Sequence, residues 1–365
     1  MKVKRNILLN PGPATTTETV KLAQIVPDIC PREEEFGLIL NEISQDLTSF
    51  VADKSKYSTI LFGGSGTAAV ESILSSVLPK NNKIIIVNNG SYGERMCKIA
   101  RRYNLNYIEF KSSNISALDI LKLEETIKLH KTLSHIAIVH NETTTGLLND
   151  IEKISMLAKK YKLEFIVDAM SSYGAIPINM DAFNITYLAA SSNKNLQGLP
   201  GVSFVVAKIN SLKKLKDVEQ LSYYLSLKEQ YEYLEANKQT RFTPPVQTLY
   251  ALKQAIKETK SETIKNRYER YKKSWETLIN GIGKLGLSYI VDKANHSKII
   301  TAINMPEHIN FKELHDYFYS IGITIYPGKI NKLNTFRIAN IGDIDHKDIN
   351  KFLYHLKTYL ISKSK

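Results

Sequence analysis

The sequence predicts an α/β protein, a mostly parallel sheet flanked by helices, followed by a smaller α+β C-terminal domain. Short apolar runs alternate with stretches of helical period as far as Ala207. Beyond Thr243 that alternation gives way to a long polar-faced helical stretch. The length of 365 residues is about two domains' worth at ~150 residues each. Taken in order, Tyr57 to Phe62 reads as a strand, Ala68 to Val77 as a helix, Lys83 to Val87 as a strand and Glu94 to Tyr103 as a helix. His135 to Val139 is a strand, Ile151 to Tyr161 a helix, and Leu163 to Val167, Thr186 to Ala190 and Val202 to Ala207 are strands. The helical stretch around Gln247 to Ile279 leads into predicted strands at Lys298 to Asn304, Ile323 to Tyr326 and Thr335 to Ile338. Helices are expected near Phe311 to Ser320 and Asp348 to Ser362. The chain divides into an N-terminal segment (1–20), a large domain (21–260) and a small domain (261–365).

Hydrophobic residues at 43% and charged residues at 23% exclude a disordered, fibrous or disulfide-dense chain. The longest apolar runs, such as Ile84 to Val87, fall far short of the ~18 residues of a membrane span. Met1 to Arg5 is basic, but the apolar run after it stops at Asn10, too short for a signal peptide, so a cytoplasmic protein is expected. Cys30 and Cys97 lack the paired spacing of a zinc or redox site. The net charge of +13 raises nucleic-acid binding. Only nine of the 49 basic residues are arginine, however, and the lysines are interspersed with acids, as a solvated surface requires and a continuous binding stripe does not.

In open α/β sheets, ligands collect at the carboxyl ends of the strands. After the first strand comes Gly63-Gly64-Ser65-Gly66-Thr67, a tight turn opening a helix, where backbone amides and the macrodipole favour a phosphate. The dinucleotide fingerprint G-x-G-x-x-A is also met, but the next strand ends in Asn88-Asn89 without the acid that would hold a ribose. Asp168 follows one strand and Lys194 another, so an acid and an amine reach the same sheet edge. Pyridoxal 5'-phosphate needs this set: a phosphate cradle, an amine for its aldehyde and a carboxylate for its ring nitrogen. At an effective dielectric of ~20, a carboxylate ~4 Å from a pyridinium contributes roughly 4 kcal/mol, about three pKa units, enough to keep the ring protonated. The simpler alternative is that Asp168 caps a turn and Lys194 is one surface lysine among many.

A series of motifs then occurs in order. They are LLNPGP (Leu8 to Pro13), GGSGT (Gly63 to Thr67), NNGSYGERM (Asn88 to Met96), HNETTTG (His140 to Gly146), VDAMSSYG (Val167 to Gly174), SSNKNLQG (Ser191 to Gly198), RFTPP (Arg241 to Pro245), and YPGK (Tyr326 to Lys329) with FRIANIG (Phe336 to Gly342). Through them the chain resembles, nearly end to end, the class V aminotransferases among the fold-type I pyridoxal-phosphate enzymes. The resemblance implies a seven-stranded-type sheet, with Lys194 as the lysine that bonds the cofactor and Asp168 as the partner of its ring nitrogen. It implies that Tyr92 stacks on the ring and that Ser65, Gly66 and Thr67 hold the phosphate. A hydroxyl from Thr143 would meet the cofactor's 3'-oxygen, with the neighbouring Thr144 and Thr145 left open. Thr243 would reach the phosphate from a neighbouring subunit, implying a homodimer with shared active sites. Arg337 would bind the substrate anion, Gly12 would approach it as backbone, and Arg32 is a further candidate, set against a loop ion pair with the glutamates that follow it. The implied reaction is amino transfer between 2-aminoethylphosphonate and pyruvate, with alanine and glyoxylate as the rival pair. The segment Asp28 to Phe36 is similar to the form in enzymes linked to phosphonate biosynthesis, which leaves the direction open. No metal is expected. A cysteine desulfurase and a noncatalytic anion-binding protein on the same fold are the remaining alternatives.

Overall fold

A computed structural model describes residues 5–328 and 333–363, so Lys329 of the YPGK motif lies outside the described residues. Its central sheet has seven strands: β1 (Tyr57–Gly63), β2 (Lys83–Asn88), β3 (Tyr107–Lys111), β4 (Leu133–Val139), β5 (Glu164–Asp168), β6 (Ile185–Ser191) and β7 (Val202–Lys208). Their spatial order is β1-β7-β6-β5-β4-β2-β3, parallel except for β7, which runs antiparallel to both neighbours. The inner strands alternate between two buried faces, which explains their near-continuous apolar runs. Ile136, Ile138, Phe165 and Val167 pack with Phe36, Leu40 and Leu47 of helix α1 (Glu34–Ser49) on one side. Ala137, Val139 and Ile166 pack on the other with Ile73 and Leu74 of α2 (Gly66–Val77) and Met96 of α3 (Ser91–Arg102).

The expected strands and helices appear with ends shifted by a few residues. Helix α1 and edge strand β3 were not foreseen: β3 alternates weakly, with Glu109 and Lys111 interrupting its apolar positions. The helical stretch expected as one piece is two, α4 (Val246–Glu262) and α5 (Ile264–Lys284), broken where Thr263 turns to φ 66° and caps the second helix by accepting from Asn266 N–H. The strand expected over Ile323 to Tyr326 also splits. Ile323–Thr324 pairs in parallel with Ile7–Leu8, whereas Tyr326–Pro327 joins an antiparallel sheet with Ile300–Asn304 and Thr335–Ala339. We label these three, in chain order, β8 (Ile300–Asn304), β9 (Tyr326–Pro327) and β10 (Thr335–Ala339).

The N-terminal segment spans both parts of the molecule. Ile7 and Leu9 are buried among Leu278, Phe318 and Phe336, and Leu9 exchanges backbone hydrogen bonds with Thr324 and Ala339. A few residues later, Ala14 N–H donates to Asn193 O at 2.9 Å, beside Lys194 on the large sheet. No helix among the described residues is long and apolar enough to cross a membrane.

Candidate active site

Because β7 alone is reversed, the carboxyl ends of β1, β2, β4, β5 and β6 share one edge, and the loops leaving them meet there. A cavity of about 150 Å³ opens at this edge, lined by Ser65, Thr67, Tyr92, Arg95, Asp168 and Lys194 with their neighbours. At one end, Ser65 precedes α2 in extended conformation and makes no side-chain capping bond. The first amides of a helix have no intrahelical acceptor, so Gly66 and Thr67 present donors to an anion. A Cβ at Gly66 would lie 2.5 Å from Met170 Sδ, so any side chain there would have to displace the methionine. Arg95 on α3 donates to Thr67 Oγ1 at 3.2 Å, and its guanidinium lies 4.6 Å from the Tyr92 ring centroid.

Asp168, 4% exposed, closes β5 and accepts from Met170 N–H at 2.9 Å. Burial raises its proton affinity, against the opposing pull of that amide, Lys194 and Arg95. Lys194 leaves the end of β6 with its Nζ 2.8 Å from Ser171 Oγ and 5.6 Å from the Tyr92 centroid. Removal from water lowers its amine to about 8; Asp168 and Glu142 oppose the shift, while Arg95 and Arg337 add to it. Gly12, with φ 140°, lies against the lysine's stem, where a Cβ would sit 3.2 Å from Lys194 Cε. We expect Gly12→Ala to cost roughly 1–3 kcal/mol in stability and to lower kcat by displacing Lys194, read from the melting temperature and from steady-state rates.

Of the three threonines in HNETTTG, only Thr143 is joined to the lysine: its Oγ1 lies 2.6 Å from Ser171 Oγ. Thr144 donates to Glu142 Oε1 at 2.6 Å, and Thr145 Oγ1 accepts from Leu147 N–H at 3.2 Å. Arg337 on β10 is 2% exposed, yet it donates only to carbonyls, Pro327 O at 2.9 Å and Thr143 O at 3.2 Å, and forms no ion pair among the described residues. A buried guanidinium without an acid is costly, and an incoming anion removes that cost.

Two expected residues lie elsewhere. Thr243 is exposed and shares a small crevice with Gly63 and Tyr224 instead of lining the Lys194 cavity of its own chain. Arg32 is not part of the cavity and forms no ion pair with Glu33, Glu34 or Glu35. Its guanidinium is held by the carbonyls of Thr240 and Arg241, the latter at 3.0 Å, and Gln239 donates back to Arg32 O at 2.7 Å. The structure also adds residues to which the sequence reading gave no role. Arg95 falls three positions after Tyr92, a spacing that puts both on one helix face. Ser171 follows Asp168 by three, and Glu142 is fully buried, its carboxyl oxygens facing the amides of Thr144 and Tyr92.

Comparison with known proteins bears on the whole chain. The model of the family "Aminotransferase class-V" matches residues 23–337. A 2-aminoethylphosphonate–pyruvate transaminase of Bacillus cereus (strain ZK / E33L) is 38% identical over 351 residues, covering 95% of this chain and 96% of the relative. A protein of the same name from Bacillus thuringiensis (strain Al Hakam) matches to the same extent. Among solved structures, an alanine–glyoxylate aminotransferase from Nostoc sp. superposes with a TM-score of 0.92 at 23% identity, covering 99% of this chain and 96% of that one. A ureidoglycine–glyoxylate aminotransferase from Bacillus subtilis gives 0.91 at 22%, covering 100% and 95%. These two establish the fold-type I architecture, and the family match establishes the enzyme class. The chain therefore belongs to the class V aminotransferases, enzymes that depend on pyridoxal 5'-phosphate.

Proposed function

We propose that this enzyme moves the amino group between 2-aminoethylphosphonate and pyruvate, giving phosphonoacetaldehyde and alanine. The observation that carries this reading is Arg337, a buried guanidinium with no acidic partner among the described residues, tied through Thr143 to the hydroxyl that holds Lys194. The names of the relatives at 38% identity supply the substrate pair.

The donor set fits the cofactor: amides and Arg95 at one end of the cavity, a buried carboxylate in its wall and an amine of lowered proton affinity beside an aromatic ring. When bound, pyridoxal 5'-phosphate supplies an aldehyde to take up the amino group and a ring to spread the electron pair left at the substrate carbon. Ser65, Gly66, Thr67 and Arg95 would hold its phosphate. Asp168 would keep the ring nitrogen protonated, Tyr92 would cover the ring face, and Thr143 would donate to the 3'-oxygen. Lys194 removes the proton from the amine-bearing carbon of the substrate and returns it on the far side of the transferred nitrogen, as a base and acid working near its own pKa. Arg337 grips the phosphonate of one substrate and the carboxylate of the other with the same planar fork. Those roles serve either direction of the reaction.

The shared site of a homodimer is part of this proposal. Thr243 is exposed beside Tyr223, 78% exposed, and Tyr224, 45% exposed, where a second copy could bury that aromatic surface and bring Thr243 to its own cavity. Sedimentation of the cofactor-bound protein should give twice the chain mass of 41.3 kDa. The desulfurase alternative has no nucleophile to use: burial pushes the Cys97 thiol up to about 12, and Cys30 is exposed outside the cavity.

The lowered amine sets a pH dependence. Above about 8 Lys194 is neutral and nucleophilic. Cofactor uptake by the cofactor-free protein, followed by absorbance, should therefore fall about tenfold per pH unit below that value and level off above it. Asp168→Asn removes a charge that raises the Lys194 pKa, so the midpoint should move to lower pH.

The decisive experiment pairs two assays on the purified enzyme. Alanine should form faster from 2-aminoethylphosphonate and pyruvate than glycine forms from alanine and glyoxylate. Borohydride should fix the cofactor to the peptide carrying Lys194. A preference for glyoxylate would reassign the substrates, and the absence of an adduct would remove the proposed role of Lys194.

A further inference from the structure

Lys194 directs its amine at one hydroxyl, Ser171 Oγ at 2.8 Å, which lies 2.6 Å from Thr143 Oγ1. Ser171 is 3% exposed, and its backbone is pinned to the lysine's own turn, since Asn195 Nδ2 donates to Ser171 O and to Tyr173 O, each at 3.1 Å. Arg267 holds the same turn from the other side through Asn195 O. The hydroxyl and the lysine's main chain therefore belong to one rigid unit, and only the flexible four-carbon stem between them has to be oriented.

An ammonium has donors and no acceptor, so it fixes the order of the chain. Lys194 donates to Ser171 and Ser171 donates to Thr143, whose proton is left for an acceptor outside the chain. A neutral amine has a lone pair, and the order reverses without displacing a heavy atom, with Thr143 donating to Ser171 and Ser171 to the amine. The same pair of hydroxyls thus suits both charge states of the lysine. Thr143 O also accepts from Arg337 at 3.2 Å, so the hydroxyl pair and the buried guanidinium share a residue.

We propose that Ser171 is a positioning residue whose hydroxyl, backed by Thr143, holds the unbonded amine of Lys194 in a fixed direction between its proton transfers. This rests on the role proposed above for Lys194 and adds what orients the amine whenever it is not bonded to the cofactor. The other groups that act on the amine come from separate elements: Asp168 from β5, Glu142 from the turn after β4, Tyr92 and Arg95 from α3 and Arg337 from β10. All of them remain in a Ser171 variant, so a change there reads the hydroxyl.

The test uses the full chain, first free of cofactor. Reductive methylation of Lys194, quantified by mass spectrometry across pH, gives the midpoint of its amine. In Ser171→Ala that midpoint should fall by about 0.5 to 1 unit, because a charged donor loses more than a neutral one when its acceptor is removed. In the loaded enzyme kcat should fall about tenfold with the KM for the amino donor little changed, and Ser171→Thr should restore both readouts. Ser171→Cys, nearly isosteric with a weak acceptor, should shift the midpoint in the same direction and keeps the test open if the alanine variant does not fold. An unmoved midpoint, or a threonine variant that behaves like alanine, overturns the proposal. Failure of the wild-type enzyme to form a cofactor adduct would instead reject the role of Lys194 in the reaction, leaving the cofactor-free titration to report on Ser171 alone.

Discussion

Lys194→Ala should reduce turnover by at least about 10⁴-fold, the upper range for removing a positioned acid and base, with loss of the covalent hold on the cofactor in addition. Ser65, Gly66, Thr67, Arg95, Asp168 and Tyr92 all survive the change, so the cavity should still take up pyridoxal 5'-phosphate without a bond to the protein. Three measurements separate this from misfolding: a kcat near background, cofactor retained on gel filtration but released by denaturation after borohydride, and a melting temperature within a few degrees of wild type. Truncation also relieves the cost of a partly desolvated amine, so stability should hold even as activity disappears. Substantial turnover by this variant would overturn the proposed reading of the site.

Arg337→Ala should cut kcat/KM for both anionic substrates by about 10²- to 10³-fold, in line with the roughly 2–5 kcal/mol lost when one member of a desolvated, hydrogen-bonded charge pair is removed. Arg337→Lys should recover only part of this, since an ammonium cannot offer two parallel donors to a phosphonate or carboxylate. A primary amine without an acidic group should react with wild type and variant at similar low rates. That comparison assigns the loss to anion recognition instead of to damage at Lys194. Equal losses for charged and uncharged amines would remove Arg337 from the substrate site. Because the guanidinium has no acidic partner among the described residues, its replacement by Met should leave the melting temperature nearly unchanged.

The sheet was legible wherever both faces of a strand are buried. Ile84 to Val87 and Ile136 to Val139 are near-continuous apolar runs because helices cover both sides. Strand β3 escaped because an edge strand needs less apolar pattern, and the α4–α5 break escaped because it depends on the backbone of one threonine, Thr263. Within the site, residues whose chemistry is local to a motif could be picked out: Lys194, Asp168 and the Ser65-Gly66-Thr67 turn. Residues defined by a partner far along the chain could not. For Arg32 the sequence offers a substrate anion or the neighbouring glutamates as partners, yet the side chain meets carbonyls some two hundred positions away, and Ser171 acquires meaning only when β5 and β6 set it opposite the lysine.

The strap formed by residues 7 to 14 has a mechanical consequence. It is bonded to the C-terminal layer through Leu9, to the large sheet through Ala14, and between those anchors it lays Gly12 along the lysine stem. A rotation of the C-terminal layer against the large sheet would therefore pull on this strap and shift Gly12 along the lysine stem.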